Sequence, residues 1–449
     1  MQRQPTDLTD DPRRWFGLAV LCLAICAIVI DNTILNVALP TVRLALRANE
    51  TNLQWITTAY ALTLSGLLLP FGVLGDRFGR RGIMLAGLTL FGCASAVAAF
   101  TTTPVQLVIA RGVMGVGGAA ITPSTLSMLG NIFSERERAR AIAIWSSFAS
   151  LAGAAGPVVG GLLLSRFWWG SVFLVNVPVV AIALVGVVVL LPPSRAPVPR
   201  AIDGRGSLLW VGSLALLLFA IIEGPARGWR SPAVIGAGVA AVALMALFAR
   251  EERRARAPML GPSVARNRGM RAGAMTVIGM FFALFGAQFV LTQWIQGPRG
   301  GSALAAGLCF APMSLATVVT ATRSPAFSRR FGTRAVVAWG LAVMAVGLLL
   351  AAWAVGGHSL VPVVAALIVM GAGQGAAIPS GVELIMGSVP PAQAGSAAGV
   401  NETLVEAGGA VGVAVLGSTL AAGAGFGVPL VIAAGVALLA AVVVHRVLR

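Results

Sequence analysis

The stretch GVLGDRFGRRGIML, residues 72–85, lies between two apolar runs and interrupts them with Asp76, Arg77, Arg80 and Arg81. A charged segment this short has room only for a reverse turn, so its flanks predict two helices that meet at one surface. Gly72 and Gly79 let the backbones come close, and the arginines hold the turn on the cytoplasmic side of a bilayer. Arginines alone would satisfy that preference. A carboxylate set among them predicts that Asp76 makes a specific ion pair or caps a neighbouring helix.

Composition points the same way. The 449-residue chain is 57% hydrophobic and 10% charged, with a mean hydropathy of +0.90, outside the range of water-soluble domains. A net charge of +17 and an isoelectric point of about 11.7 would suit nucleic acid only if the basic residues shared one face of a soluble body. All 32 are arginines and fall in alternate loops, so the lipid bilayer is the expected partner and nucleic acid is not. Runs of roughly 20 apolar residues predict fourteen spanning helices near 16–36, 53–75, 83–101, 105–129, 140–164, 171–191, 207–223, 233–249, 273–295, 303–322, 335–356, 359–387, 396–420 and 428–445. With both termini cytoplasmic, only Arg43, Arg47, Arg166, Arg227, Arg230 and Arg299 fall outside and Arg111 lies within a helix. The first run follows Arg13 and Arg14 and has the outline of an export signal. It continues through polar residues that a discarded leader does not need, so it is read as a span. Cys22, Cys26, Cys93 and Cys309 fall inside apolar helices, where a thiol acts as a small hydrophobe, so neither a disulfide framework nor a metal site is expected.

The turn at 72–85 has a weaker echo in SRRFGTRAVV, residues 328–337, which also joins the second and third helices of a six-helix group. The chain therefore reads as an N-terminal six-helix bundle over 1–192, a linker with two additional helices over 193–270, and a C-terminal six-helix bundle over 271–449. Parallel repeats of this kind build one large class of secondary transporters, with the substrate path between the halves. The inserted pair is flanked by the proline-rich PPSRAPVPRAIDGRG, residues 192–206, and the charge run REERRARAPML, residues 250–260.

The turn at 72–85, LVIARGVMGVGGAA at 107–120, GAAGPVVGG at 153–161 and IDNTILNVALP at 30–40 together resemble the major facilitator superfamily. More narrowly, the chain is similar to the fourteen-span drug:proton antiporters of that superfamily. FLVNVP at 173–178, SALAAGL at 302–308 and NETLVEAGGAVGVAVLGS at 401–418 extend the similarity along nearly the whole length. The resemblance implies an all-α polytopic fold of two six-helix bundles plus two central helices. It departs from the family where Met114 replaces the usual glutamine after Arg111 and where the second charged turn lacks an acid. In the family the glycine-proline motif marks antiporters, which implies export.

Several residues carry the expected chemistry. In GAAGPVVGG, Pro157 removes a backbone donor, while Gly156 and Gly160 offer a flat face to another helix. Together with the turn residues Gly72, Asp76, Arg77, Gly79 and Arg80, they form the expected gating set. Arg111 falls at mid-span, where an unpaired guanidinium is costly, and Asp31 is the expected partner. The pair either couples protons or forms a fixed brace. Glu402 and Glu406, four apart, share a helix face, and two like charges there disfavour joint ionisation, so one can take up and release a proton. An alternative places Glu402 at the cytoplasmic water boundary. Glu383 and Glu223, near helix ends, are expected to face water.

A cavity holding these acids within apolar walls suits lipophilic cations, with Asn36, Trp55, Tyr60, Phe285, Gln288, Trp294 and Gln296 as candidate wall residues. The function so implied is proton-coupled export of drugs or toxic small molecules through the cytoplasmic membrane by a monomer, with a dedicated exporter of one metabolite or self-made antibiotic as the alternative. No cofactor is expected, because a chain without lysine cannot form a nucleotide-binding GxxxxGK[ST] loop. No enzyme is expected either, as His358 and His445 are the only histidines and join no cluster at ligand spacing.

Overall fold

A computed structural model describes residues 14–194, 204–254, 267–357, 359–389 and 394–448. The N-terminal part contains α1 (Arg14–Leu46), α2 (Glu50–Phe78), α3 (Arg80–Ala99), α4 (Pro104–Ile132), α5 (Glu135–Arg166), α6 (Ser171–Leu174) and α7 (Asn176–Leu190). Two further helices, α8 (Gly204–Arg227) and α9 (Pro232–Arg254), precede α10 (Arg268–Gln296), α11 (Ala303–Phe331), α12 (Thr333–Ala354), α13 (Val361–Met386), α14 (Ala394–Ala421) and α15 (Gly427–Val447). Among the described residues, fourteen spans are long and apolar enough to cross a membrane, the same number that the apolar runs predict. Much of the two linkers, and His358, lie outside the described residues.

The differences from the expected boundaries have local causes. α1 runs on to Leu46, past 36, because its buried face continues through Val37, Ala38, Leu39 and Val42 even where polar residues dilute the apolar run. The sixth span is two helices, α6 and α7. Pro178 has no N–H to offer the Leu174 carbonyl four residues back, so the hydrogen-bond ladder lapses although Val175 keeps helical dihedrals (φ −59°, ψ −27°). Gly79 (φ +112°) ends α2 and starts α3, and Gly332 (φ +83°) does the same between α11 and α12. These backbone angles are costly for any residue with a side chain, which explains why both turns are built on glycine.

The packing repeats. α2 and α3 pack on α4, α1 packs on α5 and α7, and α3 packs on α7; likewise α11 and α12 pack on α13, α10 packs on α14 and α15, and α12 packs on α15. Two six-helix bundles result, joined along two seams that the repeat relates to each other, α2 with α14 and α11 with α5. α8 lies across the first seam, touching both α2 and α14, and α9 packs on α8.

The face that carries the Gly79 and Gly332 turns is here called the turn face, and the opposite one the far face. Contacts between bundles run along both seams, from Gly399 against Leu69 and Thr403 on the Ser65 carbonyl to a group at the far face. The Gln296 amide donates to the Val37 carbonyl at 2.8 Å, and the Ser418 hydroxyl donates to Gln54 Oε1 at 3.1 Å. A Cβ on Gly161 would stand 2.6 Å from Leu304 Cα, and one on Gly307 would meet the Pro157 backbone, so only glycine lets α5 and α11 touch there. Gly161→Leu is therefore expected to force α5 and α11 apart and to lower the thermal unfolding midpoint of the purified protein. An unchanged midpoint would show that this seam does not close.

Candidate functional site

At mid-bundle, α4 carries Arg111, which is fully buried, and α1 carries Asp31, 2% exposed. Arg111 Nη1 is paired with Asp31 Oδ2. The second Asp31 oxygen accepts from the Asn176 amide at 2.8 Å, and that amide also reaches Ser95 Oγ at 3.1 Å. Ser95 in turn donates to the Phe173 carbonyl at 2.8 Å. Arg111 Nε donates to the Ile56 carbonyl at 3.4 Å, and its guanidinium carbon stands 4.3 Å from the centroid of the Tyr60 ring. Desolvating two charges costs several kcal/mol per ion, and good geometry with added hydrogen bonds offsets it. Here a carboxylate, a carbonyl and an aromatic face surround one guanidinium, and an amide holds the carboxylate.

Glycine makes the approach possible. A Cβ on Gly115 would stand 2.5 Å from the Tyr60 carbonyl, and one on Gly118 would stand 3.1 Å from Tyr60 Oη. The run ARGVMGVGG thus lets α2 lie directly on α4 and bring the Tyr60 ring over the arginine.

The second bundle adds Glu406 from α14, 7% exposed, close enough for its charge to act on both Tyr60 and Arg111. Glu406 Oε2, Tyr60 Oη and Arg111 Nη2 are buried and have no hydrogen-bond partner among the described residues. Glu402, one turn earlier, is half-buried, and its Oε1 accepts from the Asn401 amide at 3.5 Å. The structure therefore brings Asp31, Arg111, Tyr60 and Glu406 together, with Glu402 beside them.

The turn residues form a separate cluster. Arg80 donates twice to Asp76 Oδ1, at 2.8 and 2.9 Å, and its Nη1 reaches the Ser127 carbonyl at 3.4 Å. Arg77 is exposed beside the Phe78 ring, and a Cβ on Gly72 would meet Pro123 at 3.6 Å. Gly160 lies against Ile34, and Gly156 against Thr33 and Ile30, so both glycines seat α5 on α1. Pro157 sits in α5 where Gly307 of α11 abuts its backbone.

The candidate wall residues scatter. Trp55 donates its indole N–H to Glu223 at 3.1 Å, and Glu223 pairs with Arg227 at 2.7 Å. Glu223, expected to face water, is instead a half-buried acceptor on α8, and its arginine one turn later was the signal for that. Trp294 is buried, with its indole N–H on the Val355 carbonyl. Gln296 ties α10 to α1, and Phe285 stands edge-on to Phe281 at 5.5 Å. Asn36 is buried and donates to the Asn32 carbonyl at 3.4 Å, while Gln288 is half-buried. Asn176 and Ser95 were missed as site residues. Asn176 stood in the quoted FLVNVP, and a lone amide beside a helix-breaking proline was the available clue.

The sequence model of the Major Facilitator Superfamily matches residues 21–223 and 273–449. The chain is 35% identical to "Multidrug efflux pump LfrA" of Mycolicibacterium smegmatis over 93% of its own length and 83% of that protein. It is 34% identical to "Puromycin resistance protein pur8" of Streptomyces alboniger, over 92% of this chain and 83% of that one. A crystal structure of a peptide transporter of the POT family superposes with a TM-score of 0.74, covering 100% of this chain and 98% of the other at 14% identity, a likeness of fold.

Removing one member of a buried ion pair leaves the other uncompensated, at a cost of about 3–5 kcal/mol. Arg111→Met is therefore expected to lower the thermal unfolding midpoint of the purified protein clearly, and Asp31→Asn combined with Arg111→Gln to recover most of the loss. Equal stability of Arg111→Met and the parent would show that the guanidinium is hydrated.

Proposed function

The chain belongs to the major facilitator superfamily, and on that footing we propose that it is a proton-coupled antiporter that exports drugs or toxic lipophilic, chiefly cationic, small molecules across the cytoplasmic membrane. The turn face is read as cytoplasmic, because the arginines of both turns lie there, and both termini then fall on the same side. The observation that carries the coupling is the buried Asp31–Arg111 pair with Glu406 set beside it from the other bundle.

Asp31 and Arg111 belong to one bundle and Glu406 to the other, so a change in how the bundles meet changes the field at each carboxylate. Protonation of Asp31 removes its attraction for Arg111 and frees the guanidinium to pair with Glu406. Protonation of Glu406 removes the negative charge that a cationic substrate needs. Proton and substrate thus compete for one pool of negative charge. Inward proton movement drives outward release, and the membrane potential adds about 2.3 kcal/mol per charge per 100 mV. The seam of α5 with α1 and α11, tight at Gly156, Gly160, Gly161 and Gly307, closes the outer face while the site loads from the cytoplasm. Asp76 and Arg80 hold α2 and α3 across the inner turn, so that these helices move together.

A second reading is a dedicated exporter of one antibiotic, favoured by the likeness to a puromycin resistance protein. Overexpression in a drug-sensitive host separates the two. Protection against chemically unrelated cations supports broad export, and protection against one chemical type supports the dedicated carrier.

The coupling is tested in liposomes holding a pH-sensitive dye, with tetraphenylphosphonium as the added cation. The parent is expected to release protons on cation addition, and Asp31→Asn to abolish that release while remaining in the membrane. Undiminished release by Asp31→Asn would remove Asp31 from coupling. Glu406→Gln is expected to flatten the pH dependence of export. A normal pH profile in the Glu402→Gln/Glu406→Gln double variant would make the acidic pair structural.

A further inference from the structure

At the turn face, the N-terminal end of α12 and the C-terminal end of α15 enclose a groove of about 380 Å³, lined by Ala338, Ala342, Leu438, Ala441, His445 and Arg446 among others. Arg334 stands one turn before Ala338 on the same face of α12, and its Nη2 lies 2.7 Å from His445 Nε2. Arg334 Nε is buried without a hydrogen-bond partner among the described residues. Neither α12 nor α15 contains an aspartate or glutamate. Exposed Phe331 and Trp339 meet edge to face with centroids 5.5 Å apart at the turn-face ends of α11 and α12, where aromatic rings commonly mark a membrane interface.

The repeat supplies a comparison inside the molecule. Arg81, two residues after Gly79, corresponds to Arg334, two residues after Gly332. In the first bundle Arg81 donates to the Val188 carbonyl of α7, and the chain itself continues over this corner, where Ser194 accepts from the Arg80 amide at 2.9 Å. In the second bundle the corresponding corner between α12 and α15 is the groove. An apolar trough of alanines opening on two arginines and a histidine, level with the headgroups, matches a molecule with an alkyl chain and a single negative headgroup.

We infer that the groove between α12 and α15 binds an anionic phospholipid, with its phosphate held by Arg334 and Arg446 and an acyl chain laid along Ala338, Ala342 and Ala441. Two basic residues near an anionic headgroup together should favour an anionic over a zwitterionic lipid by roughly thirtyfold. The alanines have a separate role, since a larger side chain would fill the trough without changing its charge.

The test is native mass spectrometry of the full chain in detergent, with phosphatidylglycerol or phosphatidylcholine of identical chains added. The parent is expected to retain phosphatidylglycerol about thirtyfold better. Arg334→Gln/Arg446→Gln is expected to bind both lipids alike, and Ala338→Leu/Ala441→Leu to retain less of both. Arg254→Gln, at the turn-face end of α9, is expected to keep the preference. Equal retention of the two lipids by the parent, a preference that survives Arg334→Gln/Arg446→Gln, or an equal loss with Arg254→Gln would each overturn the site. Displacement of phosphatidylglycerol by millimolar inorganic phosphate would overturn the acyl-chain contact and leave a phosphate site.

Discussion

A guanidinium with no exposed surface, held by a carboxylate from another helix, sets the conditions for the rest of the first bundle. Away from water the attraction between Arg111 and Asp31 is strong, but so is the cost of burying each charge, and the balance turns on the remaining lone pairs and N–H groups. Asn176 takes the second Asp31 oxygen, Ser95 fixes that amide, and Phe173 fixes the serine. That chain of bonds comes from the sixth span, which is broken where Pro178 cannot donate. It ties α1, α3, α4 and the sixth span to one point. Tyr60 covers the cation from α2 because Gly115 and Gly118 leave no side chain in the way.

The second bundle meets this point through a seam of small residues. Ala61 of α2 packs with Ala407, Ala410 and Ala414 of α14, and Leu214, Leu218 and Ile222 of α8 close over them. Small side chains give short interhelical distances. The related seam of α5 with α11 uses glycine against backbone in the same way. Close approach on the far face and a buried charge network at mid-depth are thus two results of one composition rich in Gly and Ala.

Much of this was legible in the sequence. Hydropathy alone counted the spans, and the paired glycine turns at Gly79 and Gly332 marked the repeat, because a positive φ can be read from residue type. Arg111 and Asp31 were legible as a pair because ionisable residues in apolar spans have few alternatives. The partners of the expected wall residues were not legible. Trp55, Trp294 and Gln296 are amphipathic side chains whose N–H groups found partners on α8, at the residue that ends α12, and on α1, and no local pattern tells which neighbour a long polar side chain will reach. Asn176 was hidden for a related reason. Its neighbours in sequence are apolar, and its role depends on α1 lying across it.

The inserted pair α8 and α9 finds a physical reason in the same seam. Glu406 sits on α14 close to alanines that offer little cover, and two helices alone would leave that side of the seam to lipid. α8 covers it with Trp210, Leu214, Leu218 and Ile222, and it is anchored at the far face where Ser418 donates to the Ile221 carbonyl at 2.7 Å and Trp55 to Glu223. A low dielectric around Glu406 strengthens its interaction with Arg111 and raises the cost of leaving either charge unmatched. The additional helices therefore act on the charge network through insulation, even though they contribute no ionisable group to it.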